Sequence, residues 1–285
     1  MKLVQIHKDN KITLGIQTAN GILDIIEEAK KRGLDAPSNM LELILSGKAG
    51  MTILQKLSEH PSCFTDAPLA PVVTGCEKIL CIGLNYLQHA KECNLPIPPA
   101  PVLFNKFSNA LAADQETIHL LPAYKEYDYE AELVVVIGKQ ARNVSVDQAL
   151  DYVFGYTCGN GLSTRDLQFS RSNQWVLSKT FDGFAPIGPC IVTADGIEPQ
   201  NLDISSHVNG ELRQSSNTSD MIFSVAEIIA DLSAHFTLMP GDLIFTGTPQ
   251  GVMHGYPADQ KNWLKPGDTV AVTIEHIGTL TNTMD

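Results

Sequence analysis

The chain has 285 residues, of which 44% are hydrophobic, and its formal net charge is −12 at pH 7. This length is enough for two domains or for one large sheet-rich domain with a sizeable core. The acidic balance and the absence of a basic run argue against nucleic acid and anionic membranes as partners. The start of the sequence has no secretory signal, and no stretch is apolar for long enough to span a bilayer.

The six cysteines form no C-x-x-C pair, which argues against a disulfide framework and a cysteine-based metal site. They are Cys63, Cys76, Cys81, Cys93, Cys158 and Cys190. The pattern predicts reduced, mostly buried thiols in a cytoplasmic protein. The competing interpretation, a catalytic cysteine, has no local motif to support it.

Residues 1–75 are predicted to form a small N-terminal α+β domain. Alternating apolar residues at 2–6 and 12–17, joined by a polar turn, indicate a β-hairpin. Apolar residues then recur at strand spacing and afterwards at helical spacing. These elements are a strand over 21–26 that passes into a helix over 26–31, and helices over 40–46 and 51–58. Pro68 and Pro71 predict a linker.

Residues 76–285 are predicted to form a larger, β-rich mixed domain. Strands outnumber helices and regular βαβ alternation is absent, so the class is α+β and not a doubly wound sheet. The predicted strands are 78–83, 102–107, 117–121, 131–137, 186–192, 202–208, 212–215, 243–246 and 269–274. The predicted helices are a short one over 145–150, capped by Ser145, and a clear one over 221–235.

Glu130 and Glu132 are one residue apart at the start of the apolar strand 131–137. Residues i and i+2 of a strand point to the same face, so the two carboxylates lie side by side. Like charges this close repel unless a cation neutralises them, and oxygen ligands favour a hard ion such as Mg²⁺, Mn²⁺ or Ca²⁺. The alternative is a solvated strand end, since E-x-E is common and Glu is mostly exposed.

His89 and Glu92 form a second candidate site. Three residues apart on a helix, they share a face, and the carboxylate would raise the basicity of the imidazole. Such a pair would hold a water molecule and take its proton. The alternative is an exposed ion pair without a catalytic role.

Three further side chains lie in glycine-rich surroundings. Arg165 would bind a substrate carboxylate with two parallel hydrogen bonds. Lys179 would stabilise an enolate, and Thr248 of the Thr-Gly-Thr-Pro turn would hold another anionic oxygen. Alternatively, Arg165 and Lys179 form structural ion pairs with Asp166 and Asp182, and the turn is only a turn.

Seven segments in this order resemble the fumarylacetoacetate hydrolase family, from about residue 78 to the C-terminus. They are 83–92, 127–138, 155–168, 175–189, 208–223, 240–252 and 264–268. The resemblance implies a mixed β-roll catalytic domain, commonly dimeric, preceded by a variable N-terminal extension. It is closest to members that hydrolyse acylpyruvates or decarboxylate oxaloacetate. Members use Mg²⁺ or Mn²⁺ held by E-x-E and a later Asp.

The resemblance assigns Glu130 and Glu132 as metal ligands but leaves the third ligand position without a side-chain oxygen. The family's Asp falls in a segment that reads Asn160-Gly161-Leu-Ser-Thr-Arg here, so its position is Gly161. A water molecule can replace one ligand of Mg²⁺, at some loss of affinity.

The resemblance also matches His89 and Glu92 to the pair that activates water, and Lys179 to a lysine near the metal. Arg165 and Gln168 match polar residues on the substrate side. Thr248 corresponds to the threonine of the Thr-Gly-Thr-Pro turn.

The leading interpretation is a divalent-metal-assisted hydrolase that cleaves a C–C bond of a 2,4-diketo acid. An oxaloacetate decarboxylase or an oxo-acid tautomerase would use the same enolate-stabilising site without attack by water. A third interpretation, from another class, is a metal-free binding protein, and Gly161 is its support. Segments 95–101 and 253–263 are expected to shape the acyl pocket. We expect a homodimer that binds a small oxo acid.

Overall fold

The computed structural model describes residues 1–171 and 173–285. In these ranges the strands are β1 (Lys2–Lys8), β2 (Lys11–Thr18), β3 (Gly21–Asp24), β4 (Phe64–Thr65), β5 (Leu69–Ala70), β6 (Ile79–Gly83), β7 (Val102–Lys106), β8 (Leu111–Ala112), β9 (Thr117–Ile118), β10 (Tyr127–Asp128), β11 (Ala131–Ile137), β12 (Val153–Asn160), β13 (Ser163–Thr164), β14 (Ala185–Thr193), β15 (Asp203–Val208), β16 (Glu211–Asn217), β17 (Leu243–Phe245), β18 (Thr269–Ile274) and β19 (Gly278–Met284). The α-helices are α1 (Ile25–Arg32), α2 (Met40–Ser58), α3 (Leu87–Glu92), α4 (Arg165–Ser170), α5 (Val176–Lys179) and α6 (Val225–His235).

One large sheet organises the molecule. Its strands run in the order β4-β3-β2-β1-β14-β12-β11-β17-β6-β7, with β5 beside β1 and β8 beside β14. A smaller sheet has the order β16-β15-β18-β19-β9, and β10 pairs with β13. Strands outnumber α-helices and do not alternate regularly with them along the chain, so the predicted β-rich α+β class is confirmed.

Two hydrophobic cores cover the opposite faces of the large sheet. One lies between that sheet, the smaller sheet and α6, and the other lies between the large sheet and helices α1 and α2. Strand β11 belongs to both, because Leu133 and Val135 point to the first core whereas Val134 and Val136 point to the second. A central strand buried on both faces holds the residues at its end in a fixed position.

The first 75 residues share the large sheet with the rest of the chain. The predicted hairpin is confirmed, but Lys2 and Leu3 of β1 also pair with β14. The predicted linker contains β5, which pairs with β1. The division into domains 1–75 and 76–285 stays a prediction.

Several boundaries differ from the prediction. The clear helix begins at Val225 and not at 221, because Ser224 and Glu227 form a capping box. The helix predicted over 145–150 is a 3₁₀ helix over Val146–Tyr152, and Ser145 does not cap it with its side chain.

Strand β12 was not predicted, since it is rich in glycine, which sequence rules exclude from strands. Glycines are needed there because a Cβ at Gly155 would overlap the carbonyl oxygen of Val192, and one at Gly159 would approach Phe245 to 2.7 Å. In the described part of the chain, no helix combines the length and the apolarity that a membrane crossing requires.

Candidate active site

Glu130 and Glu132 are buried at the start of β11, with exposed fractions of 6% and 2%. Both carboxylates point toward the backbone of Gly161. A Cβ at that position would overlap Oε1 of Glu132 and lie 2.8 Å from Oε2 of Glu130. The interpretation of a solvated strand end is therefore wrong, and the same-face placement is confirmed.

Two buried cations hold Glu130. Nζ of Lys179, at the end of α5, donates to both of its oxygens at 2.7 Å, and Nη2 of Arg165 donates to Oε1 at 2.7 Å. Burial favours the neutral acid, but Lys179 and Arg165 outweigh it and lower the pKa of Glu130 to about 2. The alternative ion pairs with Asp166 and Asp182 are wrong, since within the described residues these cations pair with Glu130 and, for Arg165, also with Asp128.

Glu132 has much less compensation for a negative charge. Its Oε2 accepts a 2.7 Å hydrogen bond from the backbone N–H of Gly247, in the Thr-Gly-Thr-Pro turn. Burial and the neighbouring Glu130 raise the pKa of Glu132 to about 8. A positive charge beside Glu132 would restore its ionised form.

His89 and Glu92 come together as predicted, on α3. Nδ1 of His89 is 3.3 Å from Oε2 of Glu92, whose carboxylate also accepts the N–H of Gly251. Burial disfavours the imidazolium, but hydrogen bonds to Cys93 and Glu92 outweigh it and raise the pKa of His89 to about 9. A Cβ at Gly255 would lie 2.6 Å from Oε1 of Glu92, so only a glycine at this position avoids a steric clash with the carboxylate.

Asp128 is a site residue that the sequence analysis missed. It is fully buried and accepts from Nε of Arg165 at 2.9 Å and from the N–H groups of Met253 and His254. The signal was present, because Asp128 continues the same-face pattern of the two glutamates as D-x-E-x-E. Asp128 thereby joins Arg165 to the loop that carries His254.

The contacts of Arg165 differ from those expected of a free substrate-binding guanidinium. Nε and Nη2 bind Asp128 and Glu130, and Nη1 donates to Oε1 of Gln168 at 2.9 Å. Arg165 thus positions Glu130 and Gln168. A substrate-binding role for Arg165 and Gln168 stays a prediction.

Two other buried side chains support the site. Lys106 donates to the carbonyl oxygens of Leu162, Lys179 and Phe184 at 2.9, 2.5 and 2.7 Å. Nε2 of Gln214 donates to Oγ1 of Thr248 at 2.8 Å. Both hold backbone or side chains that surround the carboxylates, and an isolated Lys or Gln leaves no recognisable motif in a sequence.

A cavity of about 230 Å³ lies over these groups. Its polar lining consists of His89, Glu130, Glu132, Arg165, Gln168, Lys179, Thr248 and His254, and its apolar lining includes Ile82, Leu84, Leu95, Phe104, Phe169 and Trp175. Leu95 and His254 come from the two segments that were expected to shape the acyl pocket. Pockets for drug-sized ligands are roughly 300–1,000 Å³. A cavity of this size therefore suits a smaller molecule, such as a short oxo acid.

The residues fit a hard divalent cation. Two carboxylates converge on one point, and Lys179 and Arg165 form ion pairs with Glu130, whereas Glu132 accepts a hydrogen bond from the backbone N–H of Gly247. Glu130, Glu132 and added water would hold such an ion, because Mg²⁺ retains several waters in most protein sites.

Fold and site together define a sheet-rich α+β protein with a buried cluster of acidic and basic groups beneath a small cavity. Residues 78–285 match the sequence model of the C-terminal region of fumarylacetoacetate hydrolase. The chain belongs to the fumarylacetoacetate hydrolase family, as the resemblance predicted.

Relatives and solved structures span nearly the whole chain. A mitochondrial oxaloacetate tautomerase of Bos taurus is 39% identical over 281 residues, which cover 94% of this chain and 86% of the relative. The crystal structure of a putative HpcE protein from Mycobacterium smegmatis has a TM-score of 0.89 and 34% identity, over 100% of this chain and 99% of that chain.

A maleylpyruvate hydrolase from Sphingobium sp. SYK-6, in complex with manganese(II) and pyruvate, has a TM-score of 0.80. It is 29% identical and covers 100% of this chain and 98% of that chain. The family thus includes both a tautomerase and a hydrolase among the proteins similar to this one.

The expectation of a cytoplasmic protein is wrong. Oxaloacetate tautomerases that cover 94–99% of the chain, from Bos taurus and Homo sapiens, are named as mitochondrial. The prediction of a cytoplasmic protein rested on cysteine usage. Cysteine usage distinguishes reducing from oxidising compartments, but it does not separate one reducing compartment from another.

Proposed function

We propose that the chain is an oxo-acid tautomerase that interconverts the keto and enol forms of oxaloacetate, assisted by Mg²⁺ or Mn²⁺. The observation that carries the proposal is the buried pair Glu130–Glu132, with Lys179 beside it, at the floor of a small cavity. The name of the bovine relative, which matches across 94% of this chain, supports the substrate.

His89 is the group that would move the proton. Tautomerisation removes a proton from C3 of the oxo acid and adds one to the carbonyl oxygen at C2. A His89 that holds its proton at neutral pH is suited to protonate C3 of the enol while the enol O–H proton leaves to solvent. In the reverse direction, neutral His89 takes the C3 proton while solvent protonates the C2 oxygen. Glu92 holds the ring through Nδ1.

Lys179 would stabilise the charge that develops on the C2 oxygen during this transfer. Lys179 lines the cavity and is 3% exposed, and its ammonium group is fixed by two hydrogen bonds to Glu130. A preorganised cation in a site with little water stabilises an enolate more than the same cation in solution. When bound, a divalent ion at Glu130 and Glu132 would supply Lewis-acid polarisation of the oxo-acid oxygens.

Hydrolysis of a 2,4-diketo acid is the second candidate, because the His89–Glu92 pair is present and would activate water. The name of the bovine relative and the small volume of the cavity favour the first candidate.

Turnover of two substrates would separate the candidates. We expect the protein to accelerate the ultraviolet absorbance change of oxaloacetate enol with Mg²⁺ or Mn²⁺ and to lose this activity in chelator. We expect little pyruvate release from acylpyruvate. The reverse pattern would establish the hydrolase, and absence of both turnover and metal uptake would favour the metal-free binding protein that Gly161 suggests.

Replacement of His89 by alanine is expected to slow tautomerisation by about 100-fold or more, because general acid–base catalysis contributes roughly 10²–10⁴-fold. Metal affinity should stay within about threefold, since His89 is not a proposed ligand of this ion. Rates of enol loss and calorimetric metal titrations of both proteins test this. Equal rates in the two proteins would remove His89 from the mechanism.

Metal affinity is expected to increase with pH below about 8. The pKa of Glu132 is raised to about 8, so at lower pH a bound cation must displace its proton. The dissociation constant should fall by about tenfold for each unit between pH 6 and 8 and then level off. Calorimetry in two buffers of different ionisation enthalpy measures the proton released, and a flat profile would contradict an ionised Glu132 ligand.

The homodimer also stays a prediction. The exposed edge strand β7 supports it. This strand is at an edge of the large sheet; Leu103 within it is 43% exposed, and Phe107 directly after it is 52% exposed. Exposed apolar side chains at a sheet edge favour pairing with another chain. We expect light scattering to give twice the monomer mass and Phe107→Glu to weaken the association.

A further inference from the structure

A second cluster of metal-binding side chains lies on one face of α3. Glu92 is three residues after His89, and Cys93, the residue that ends α3, is four residues after it, so helical spacing places each of them beside His89. Among the described residues, one ligand atom of each lies within 4.8 Å of the other two. Nδ1 of His89 is 3.3 Å from Oε2 of Glu92 and 3.9 Å from Sγ of Cys93.

The two separations from Nδ1 of His89 are close to those around a tetrahedral ion. Zinc binds nitrogen and oxygen at about 2.0–2.2 Å and sulfur at about 2.3 Å, which places neighbouring ligands roughly 3.3–3.8 Å apart. The two distances from His89 are close to this range. The ligand atoms of Glu92 and Cys93 lie within 4.8 Å of each other, so binding needs their side chains to move closer together. Glu92 is already held by the N–H of Gly251.

The chemistry of this cluster differs from that of the glutamate pair. A thiolate and an imidazole favour zinc and similar soft ions, whereas carboxylates and water favour Mg²⁺ and Mn²⁺. The Cys93 thiolate and the Glu92 carboxylate would together neutralise a dication. His89 and Cys93 both line the cavity, so an ion from solvent can reach them and keep one position open.

We propose that His89, Glu92 and Cys93 bind a thiophilic divalent cation of the zinc class, and that this ion inhibits the enzyme. Binding through Nδ1 of His89 occupies the atom that faces Glu92 and removes the imidazolium. The inhibitory consequence rests on the proposed function, because it requires His89 to move a proton. The binding site itself does not.

Co²⁺ spectroscopy tests the site directly. The full-length protein, reduced with a phosphine and saturated with Mg²⁺, is titrated with Co²⁺. We expect the visible bands of tetrahedral Co²⁺ and a near-ultraviolet charge-transfer band from thiolate to Co²⁺. Zinc should displace the ion and abolish both. In Cys93→Ser the charge-transfer band should disappear and affinity should fall by at least about tenfold.

Two matched variants locate the ion. Cys63→Ser, which changes another partly exposed cysteine, should keep the wild-type spectrum. Glu132→Gln should also keep it, because Glu132 belongs to the other site. If Cys93→Ser retains the charge-transfer band, or if Glu132→Gln loses all Co²⁺ uptake, the proposal is overturned. Circular dichroism of Cys93→Ser and Cys93→Ala shows whether either variant misfolds.

Inhibition is measured separately, as the zinc concentration that halves each protein's own zinc-free rate on oxaloacetate. We expect that concentration to increase by at least about tenfold in Cys93→Ser relative to wild type. An unchanged value would remove the inhibitory role. If wild-type protein shows no turnover of oxo acids, the proposed function fails while the Co²⁺ spectra still decide whether the cluster binds metal.

Discussion

Glu132→Gln is expected to abolish binding of Mg²⁺ and Mn²⁺ while leaving the metal-free fold nearly as stable as wild type. The pKa of Glu132 is raised to about 8, so in the metal-free protein at pH 7 this side chain is mostly neutral already. Glutamine has the same shape and can accept the hydrogen bond from Gly247. The free energy of unfolding should therefore change by less than about 1 kcal/mol.

Metal-dependent activity should fall by a hundredfold or more in Glu132→Gln, since even loss of a residue that only supports a ligand costs about 10–100-fold. Metal titration, rates at saturating metal and chemical denaturation provide the three measurements. Wild-type metal affinity in this variant would contradict the assignment of Glu132 as a ligand.

Glu130→Gln is the matched control, because it makes the same chemical change on the neighbouring glutamate. Here the lost charge leaves Lys179 and Arg165 buried beside a neutral amide. Breaking a buried pair by removing one partner costs about 3–5 kcal/mol. We therefore expect Glu130→Gln to be strongly destabilised, and equal stabilities of the two variants would contradict the different charge states assigned to the glutamates.

Gly161→Asp is expected to lower the dissociation constant for the divalent ion by about tenfold or more, which corresponds to roughly 1.4 kcal/mol of binding free energy. A Cβ at this position points directly at the two carboxylates, so an aspartate there adds a third negative oxygen to the same site. The metal-free protein should lose about 1–3 kcal/mol of stability, because Oε1 of Glu132 must move and three acids then share one pocket.

Gly161→Ala separates the two effects. It introduces the same Cβ, and therefore the same overlap with Glu132, but it adds no ligand. We expect lower stability without tighter metal binding. Calorimetric titrations and unfolding curves with and without metal measure both quantities. If Gly161→Asp binds metal no more tightly than Gly161→Ala, then either another group already fills the third ligand position or the glutamates hold no metal ion. Tight metal uptake by the unaltered protein would indicate the first, and no uptake would indicate the second.

The spacing of residues along the sequence, at two for strands and at three to four for helices, determined much of the fold and of the site. Glu130 and Glu132 share a face because they are two apart in a strand, and His89 and Glu92 share a face because they are three apart in a helix. Both placements are local consequences of backbone geometry, so they were predicted correctly. The same pattern extended to Asp128, which the sequence analysis did not use.

Tertiary structure alone decided the partners of these side chains. In the metal-free protein Glu130 is ionised and Glu132 neutral at pH 7, because other segments bring Lys179 and Arg165 into ion pairs with Glu130 and, among the described residues, not with Glu132. The close approach of Gly161 to the carboxylates likewise depends on the pairing of distant strands. Charge state and available space are set by neighbours remote in sequence, and spacing along the chain carries no information about them.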